Sequence, residues 1–595
     1  MPADLRASLV AAGEASLQRA WQPLLATRFL EYARVGNRSE YERENFGRRN
    51  QLIALALAEC VEGKGRFLDQ IANGIWLVCE ETYWGLPAHV AMQRAGVGLP
   101  DAAEPTVDLF AAETAAALAY IDYLLGSALN DVSPLIRPRI AYEIDRRILT
   151  PNLERDDFGW MGFSSAERPN NWNPWINSNW LACVLFVEPD DERRHAAVAK
   201  IMRSLDRFID PYPADGGCDE GPGYWMRAAG SLYECLELLH QATTGQVDVF
   251  DEPLIREMGR FIYRVHIDAS YYINFADASA LLTPESSLIY CYGQAIRDHD
   301  MTAFAAWAAQ TADGGAGGWG RPIDSPMRWL RAIFSAAEIA QAEAYPPQPR
   351  DVWLPVVQVM AARDQSQSGR GLYVAAKGGH NNESHNHNDI GEFIVFLDGR
   401  PLLIDAGVET YSRKTFSPQR YEIWTMQSAY HSLPTIDDVQ QQPGEQFAAR
   451  DVAYTAADDA AQLALDIAGA YPPEAGLKRW RRTIRLNRGR SVTVEDDYEL
   501  DHTPHRLTLS LLTASRVTLE GAGVIRLSAA DLPDGRVSAG GVVRYDGGRF
   551  TASVEAIAIT DDRMRPVWGD CLYRILLSAT APQPRDTWKL EVSEA

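Results

Sequence analysis

Three short segments concentrate the side chains that can do chemistry. The first runs Gly379-His380-Asn381-Asn382-Glu383-Ser384-His385-Asn386-His387-Asn388-Asp389. Such a stretch buries little apolar area and needs another reason to exist. His385 and His387 are two residues apart, so in an extended chain they point the same way, one toward a ligand and the other toward a metal. Asp405 closes the apolar run Pro401–Ile404, and a carboxylate at the end of a buried strand is unfavourable unless paired or metal-bound. His431 follows Ser428-Ala429-Tyr430. His387, Asp405 and His431 make a normal zinc set, with water or another group in the fourth position. The plainer alternative is that these three side chains hydrogen-bond one another.

The second segment, Asp215-Gly216-Gly217-Cys218-Asp219-Glu220-Gly221-Pro222-Gly223-Tyr224-Trp225, opens a helix. Its glycines permit close backbone approach to a ligand. Tyr224 is expected to project into a cleft between helices, with Glu220 as a substrate contact; the alternative is a helix cap with solvated charges. The third, Arg168 to Trp180, holds five asparagines and three tryptophans in thirteen residues. Indole faces stack on sugar rings, and amides hydrogen-bond hydroxyls and carboxylates. As a core element it would bury too many amides; as an idle loop it would expose too much indole. A carbohydrate cleft accounts for both, with Asn170, Trp172 and Trp175 against the substrate.

The elements that must position these segments change character near residue 346. From Ala7 to about Ala344, apolar residues recur three and four apart, as in 51–62, 66–80, 106–129, 135–149, 193–209, 224–242 and 254–265. Turns such as Pro151-Asn152 and Asp313-Gly314-Gly315 separate them. Helical hairpins packed side by side are expected over 1–345. Tyr345-Pro346-Pro347-Gln348-Pro349-Arg350 reads as a linker, taken as 346–351. Beyond it the period becomes two: Leu507, Leu509 and Leu511 alternate with Thr508 and Ser510. Short runs at 393–397, 402–404, 491–495, 550–556 and 572–577 complete an antiparallel β-sandwich over 352–595, with 440–448 and 456–461 as loops.

Composition bounds the function. The 595 residues call for two domains or more. A formal net charge of −23 argues against a nucleic-acid binder. No apolar run has the length of a membrane-spanning helix. Seven scattered cysteines without a CxxC pair suggest free thiols in a reducing compartment. The stretch 1–21 lacks the order of a secretory leader, so a cytoplasmic address is expected, or a periplasmic one if a leader has been removed.

Together these motifs resemble the heparinase II/III-like polysaccharide lyases. The resemblance rests on His385-Asn386-His387-Asn388-Asp389-Ile390-Gly391, Asp405-Ala406-Gly407, Phe416-Ser417-Pro418-Gln419-Arg420-Tyr421 and Ser428-Ala429-Tyr430-His431-Ser432. The Gly221-Pro222-Gly223-Tyr224-Trp225 helix start and the Asn170-Asn171-Trp172-Asn173 loop fit in order. It implies an incomplete α/α toroid followed by an antiparallel β-sandwich, with the active cleft between them. It further implies β-elimination on uronic-acid glycans, with Tyr224 as acid and often base, Asn171 holding the carboxylate and His385 assisting. A zinc or similar structural ion at His387, Asp405 and His431 is implied as well. One departure stands out: several relatives have histidine directly after the loop asparagine, where this chain has Trp172.

Elimination removes the proton at C5 and expels the O4 oxygen, so donors must hold the charge of an enolate-like intermediate. Asn171, a protonated His385 or Arg420 could do this. Tyr224 acting alone gives syn elimination; His385 as base with Tyr224 as acid gives anti. Tyr430 is a second candidate phenol. The alternatives are a glycoside hydrolase, to which Asp215, Asp219 or Glu220 would supply one of two carboxylates, and a non-catalytic glycan-binding protein. A uronic-acid oligo- or polysaccharide is the expected partner, short oligosaccharides and exo action following from a cytoplasmic address. Nucleic acid and membrane are not expected, and homo-oligomerisation is left open.

Overall fold

Apolar spacing of three and four residues winds the first part of the chain into helices, and local side chains set their ends. In the computed structural model, which describes residues 1–164, 168–311, 325–521 and 523–595, Leu109–Val132 starts where Asp108 Oδ1 accepts from the Ala111 N–H at 2.8 Å. Ser39–Glu62 stops at Gly63, whose φ of 65° suits glycine. The turn expected at Asp313-Gly314-Gly315 lies outside the described residues. Consecutive helices pack as hairpins, Trp172–Val187 on Asp191–Ile209 and Ser286–Ala295 on His299–Thr311, and others pack across intervening helices, Ala3–Leu17 on Ser39–Glu62 and Trp172–Val187 on Leu109–Val132. Leu109–Val132 is long and apolar enough to cross a membrane, but its apolar stretch is 78% buried inside the protein, as befits a core helix.

Two helical expectations change. The 224–242 helix is two pieces, Pro222–Trp225 and Ala229–Ala242, because Ala228 sits at φ −86°, ψ −86°, outside helical geometry. The asparagine-rich stretch is not a loop beyond Asn171: Trp172–Val187 is a helix. Its buried amide NH₂ groups are given to carbonyls and hydroxyls inside. Asn173 Nδ2 donates to Trp160 O and Ser204 O, both at 2.9 Å, and Asn179 Nδ2 to Trp175 O at 2.9 Å. Buried amides are tolerated where backbone carbonyls receive them.

The chain folds as two compact units. The first comprises Met1–Tyr212, Met226–Gly259 and Pro284–Tyr345; the second comprises Pro213–Trp225, Arg260–Thr283 and Pro346–Ala595. Two segments flanked by helices therefore join the strands. Asp215 Oδ2 accepts from Val356 N at 2.6 Å, and Arg363 donates to His266 O at 3.0 Å and Ile267 O at 3.1 Å. The 346–351 stretch is tied down too: Gln348 Nε2 donates to Ile267 O at 3.0 Å.

The second unit is an antiparallel sandwich. Its eight-stranded sheet runs in the order Arg450–Ala456, Ala460–Asp466, Leu477–Asn487, Ser491–Leu500, Arg585–Ser593, Gly541–Arg544, Val524–Ser528, Arg516–Leu519. A five-stranded sheet (Asp351–Leu354, Val359–Arg363, Leu372–Lys377, Phe393–Leu397, Arg400–Leu403) and a four-stranded one (Phe550–Ala558, Cys571–Ala579, Leu507–Thr513, Pro434–Ile436) contribute to the same core. Alternation pays off along Leu477–Asn487, where Trp480, Ile484 and Leu486 are fully buried. Gly444–Ala448, expected as loop, pairs with His380–Asn381. Arg482, buried among these apolar residues, grips Asp496 through two 2.8 Å bonds and donates to Ser432 O and Gly391 O, fixing both site-bearing segments to the sheet.

Candidate active site and metal centre

The centre of the site is a carboxylate that sequence reading passed over. Asp277 is fully buried. Its Oδ1 accepts from Arg420 Nη2 at 2.7 Å and His387 Nε2 at 3.0 Å. Its Oδ2 accepts from His385 Nδ1 at 2.8 Å and Tyr411 Oη at 3.0 Å. Burial opposes ionisation, but hydrogen bonds from His385 and His387 and the Arg420 charge outweigh it and hold Asp277 well below the usual carboxylate range. Asp277 follows Tyr271-Tyr272-Ile273-Asn274-Phe275-Ala276, and the only local hint is polar residues interrupting that apolar run.

His385 lies between two carboxylates. Nδ1 faces Asp277 and Nε2 stands 3.2 Å from Glu220 Oε2. Both nitrogens are therefore donors, and the ring is an imidazolium. Burial alone would lower its pKa; the bonds to Asp277 and Glu220 prevail and raise it to about 9. The backbone at His385 is left-handed, φ 60°, so the same-side reading for an extended chain does not hold. The two histidines instead meet one carboxylate on its two oxygens.

The Tyr224 ring stacks on the His385 ring with centroids 4.3 Å apart and planes 21° from parallel. Its hydroxyl is 2.6 Å from that of Tyr411. Burial raises the Tyr224 pKa, while Tyr411 and Arg563 pull the other way. Tyr224 thus belongs to the same compact unit as His385, not to the helical one. Gly221, at φ 90°, explains how: a Cβ there would lie 2.9 Å from Ala278 Cβ. The close approach its glycine allows is to protein, not to ligand.

Other expected residues find different partners. Arg420 is committed: besides Asp277, it donates to Asn386 O at 3.0 Å and Thr415 O at 3.3 Å. Glu220 is buried against His385. The second phenol beside Tyr224 is Tyr411; Tyr430 instead lies 4.4 Å beneath Arg574 and 5.3 Å from Trp424. Of the hydrolase candidates, Asp219 accepts from Ser384 N at 3.3 Å and Asp215 from Val356 N. In the helical unit, Asn171 is buried at the start of Trp172–Val187, and Asn170 Oδ1 accepts from Trp172 N at 3.1 Å. The Trp172 ring meets His89 edge-on at 4.6 Å. Trp175 is no free stacking face: its Nε1 donates to Glu113 at 2.7 Å, and Arg227 covers the ring at 4.1 Å.

His387, Asp405 and His431 come together as expected, buried, with ligand atoms within 4.8 Å of one another. Donor bookkeeping fits a cation. His387 Nε2 donates to Asp277 and His431 Nε2 donates to Thr425 O at 3.2 Å. That turns Nδ1 of each ring toward Asp405, with His431 Nδ1 3.4 Å from Asp405 Oδ2 and no well-aligned hydrogen bond at any of the three atoms. Two imidazole nitrogens and a carboxylate oxygen converging in a buried space are the donor set of a metal site, and the outer bonds that orient each ring are its usual support.

A second charged group clamps the histidine loop from both ends. Lys377 Nζ lies 2.7 Å from both Glu383 and Asp389. One ammonium cannot serve two buried carboxylates equally, and burial pushes Glu383 up to about 7 despite Lys377. The folded state therefore binds a proton that the unfolded state releases between the ordinary glutamate range and about 7, so stability falls as pH rises through that window. Glu383→Gln is expected to remove this slope, by on the order of 2 kcal/mol between pH 5 and 8. Parallel melting curves for variant and wild type across that range would contradict it.

Residues 358–567 match the family described as Heparinase II/III-like, C-terminal. The chain carries a heparinase II/III-like domain. Among solved structures, heparinase III is 13% identical, covering 94% of this chain and 77% of its own, with a TM-score of 0.65. A heparan sulfate lyase from Pedobacter heparinus is 13% identical, covering 99% and 88%, with a TM-score of 0.58. The chondroitin AC lyase of Streptomyces coelicolor A3, solved with chondroitin sulphate, is 11% identical, covering 99% and 83%, with a TM-score of 0.53. At these identities the likeness is one of fold. An incomplete α/α toroid followed by an antiparallel β-sandwich is the fold of this chain. No curated protein matches the sequence.

Proposed function

We propose that the protein is a polysaccharide lyase, a carbon–oxygen lyase cleaving uronic-acid glycans by β-elimination. The observation that carries this reading is the Tyr224 phenol stacked on the His385 imidazolium. A ring with both nitrogens given to carboxylates is a poor base and a good cation. His385 then stabilises negative charge, and Tyr224 takes the C5 proton and returns it to the O4 oxygen on the same face. Tyr224 enters the step as the phenolate, becomes the phenol on taking the C5 proton, and returns to the phenolate on passing that proton to the O4 oxygen. The phenolate that accepts the proton lies against a cation, which offsets part of the burial that disfavours it. Asn170, Asn171 and Trp172 enter through the family resemblance, Asn171 as holder of the uronate carboxylate. Short oligosaccharides and exo action are the proposed mode.

Hydrolysis would need two carboxylates flanking the bond. Here Asp215 and Asp219 are occupied by backbone N–H groups and Glu220 by His385. A panel of uronate oligosaccharides tests the reading. Elimination is expected to raise ultraviolet absorbance from an unsaturated uronate, and silence across all uronates would contradict it.

His387, Asp405 and His431 would hold a divalent ion, zinc by their N₂O donor set. Bound there, it would cancel the Asp405 charge and fix the loop that carries His385. Chelation is expected to lower Tm by several degrees, and readdition of zinc to restore it, because a ligand bound only to the folded state stabilises it. An unchanged Tm, with no metal found by elemental analysis of the purified protein, would show that the three side chains only bond one another.

A further inference from the structure

We propose that Tyr411 is a positioning residue for Tyr224, holding its hydroxyl in one direction by way of Asp277. The inference rests on the lyase reading above but draws on a different observation, the order of donors along three side chains. Asp277 receives a donor pair on each oxygen, Arg420 and His387 on Oδ1 and His385 and Tyr411 on Oδ2, and so serves as acceptor throughout. Tyr411 has a single hydroxyl proton, and it goes to Asp277 Oδ2 at 3.0 Å. The 2.6 Å contact between the two phenols must then use the Tyr224 proton, with the Tyr411 oxygen as acceptor. The chain of donation is Tyr224 to Tyr411 to Asp277, and it leaves the Tyr224 lone pairs turned away from Tyr411.

Tyr411 is itself braced. Its ring lies 5.0 Å below the Arg563 guanidinium and 5.1 Å from Phe416, edge-on. Arg563 Nη2 in turn donates to Asp277 O at 3.2 Å. Nothing in this arrangement requires Tyr411 to touch substrate. Its effect reaches the reaction through Tyr224. When Tyr224 gives up its proton, the Tyr411 hydroxyl can rotate from Asp277 to the phenolate and supply a donor to it, with no atom gained or lost.

The groups facing the Tyr224 hydroxyl and ring are Tyr411, His385, Asp277, Glu220 and Arg563. Of these, Tyr411 and Arg563 favour the phenolate, and Asp277 and Glu220 oppose it. Removing the Tyr411 hydroxyl should therefore make Tyr224 harder to ionise. Tyr411→Phe keeps the ring, the Phe416 contact and the Arg563 contact.

Two measurements on the full chain test this. In the first, 3,5-difluorotyrosine replaces Tyr224, with and without Tyr411→Phe. Fluorination makes the phenol more acidic and brings its titration into a range the fold tolerates. The ¹⁹F midpoint is expected to move up by about one pH unit in the Tyr411→Phe background. In the second, Tyr411→Phe in the otherwise natural chain is expected to lower kcat about 10²-fold and leave KM within about threefold. A midpoint that stays or moves down overturns the proposal whatever the rate does, since a rate loss alone would be a structural effect. A kcat within about threefold of wild type overturns it as well. If wild type produces no unsaturated uronate from any glycan, the lyase reading fails, and the fluorine midpoint alone still decides the role of Tyr411.

Discussion

Tyr224→Phe should abolish turnover while sparing the fold. The substitution removes one oxygen atom whose described hydrogen bond runs to Tyr411. Losing a single partly buried bond of this kind costs on the order of 1 kcal/mol, so Tm should fall by no more than a few degrees. The ring and its stacking on His385 remain. The chemistry, by contrast, loses both its acceptor for the C5 proton and its donor for the O4 oxygen. A positioned general acid or base contributes about 10²- to 10⁴-fold, and one group doing both tasks should sit at the top of that range. The expected outcome is a kcat reduced about 10⁴-fold with bound-substrate affinity retained. A variant keeping a tenth of wild-type kcat would show that another group moves the proton.

Asp277→Asn should be more damaging to the molecule as a whole. The carboxylate receives four donors, two on each oxygen. An asparagine of the same shape must turn its NH₂ toward two of them. In one orientation it opposes His385 and Tyr411; in the other it opposes Arg420 and His387. Breaking one partner out of a buried charged network costs about 3–5 kcal/mol, enough to lower Tm by on the order of 8 °C. Activity should fall about 10³- to 10⁴-fold, since a carboxylate that fixes an imidazole's protonation and orientation is worth about that much in other enzymes. A third consequence separates this residue from an ordinary core position. His387 Nδ1 is available as a ligand because Nε2–H is given to Asp277. Without that partner, the metal content expected for the site should drop as well. Normal metal content and near-normal kcat in Asp277→Asn would contradict the central place given to this carboxylate.

Much of the fold was legible because it is written locally. Period-three and period-four spacing before residue 346 and period-two spacing after it need only neighbouring residues. The donor set His387, Asp405 and His431 was legible for a related reason: each residue type is conspicuous where it stands, two histidines in polar segments and a carboxylate just beyond the strand Arg400–Leu403. Asp277 was not, because nothing in Ile273-Asn274-Phe275-Ala276-Asp277 states which side chains come to meet it. Its partners lie 108, 110, 134 and 143 residues away. Tyr224 to Tyr411 spans 187. The same limit explains why Pro213–Trp225 was assigned to the helical part: its turn signals are local, but the bond from Asp215 to Val356 that carries it to the sheet is not. The asparagine-rich helix misled in the opposite direction. Composition suggested a carbohydrate cleft lined by amides, yet Asn173 and Asn177 are buried against Ser204 and serve as internal ties. Amide content predicts exposure only when no carbonyl or hydroxyl is waiting inside.

The claim at the centre is that this site breaks a glycosidic bond by elimination, without consuming water. Digestion of a uronate oligosaccharide in water enriched in oxygen-18, followed by mass spectrometry of both fragments, tests it most directly. Elimination predicts fragment masses that sum to the mass of the starting sugar, no heavy oxygen at the new ends, and an ultraviolet-absorbing terminal uronate. Fragments that together exceed the starting mass by one water, with the heavy oxygen in a new reducing end, would contradict it.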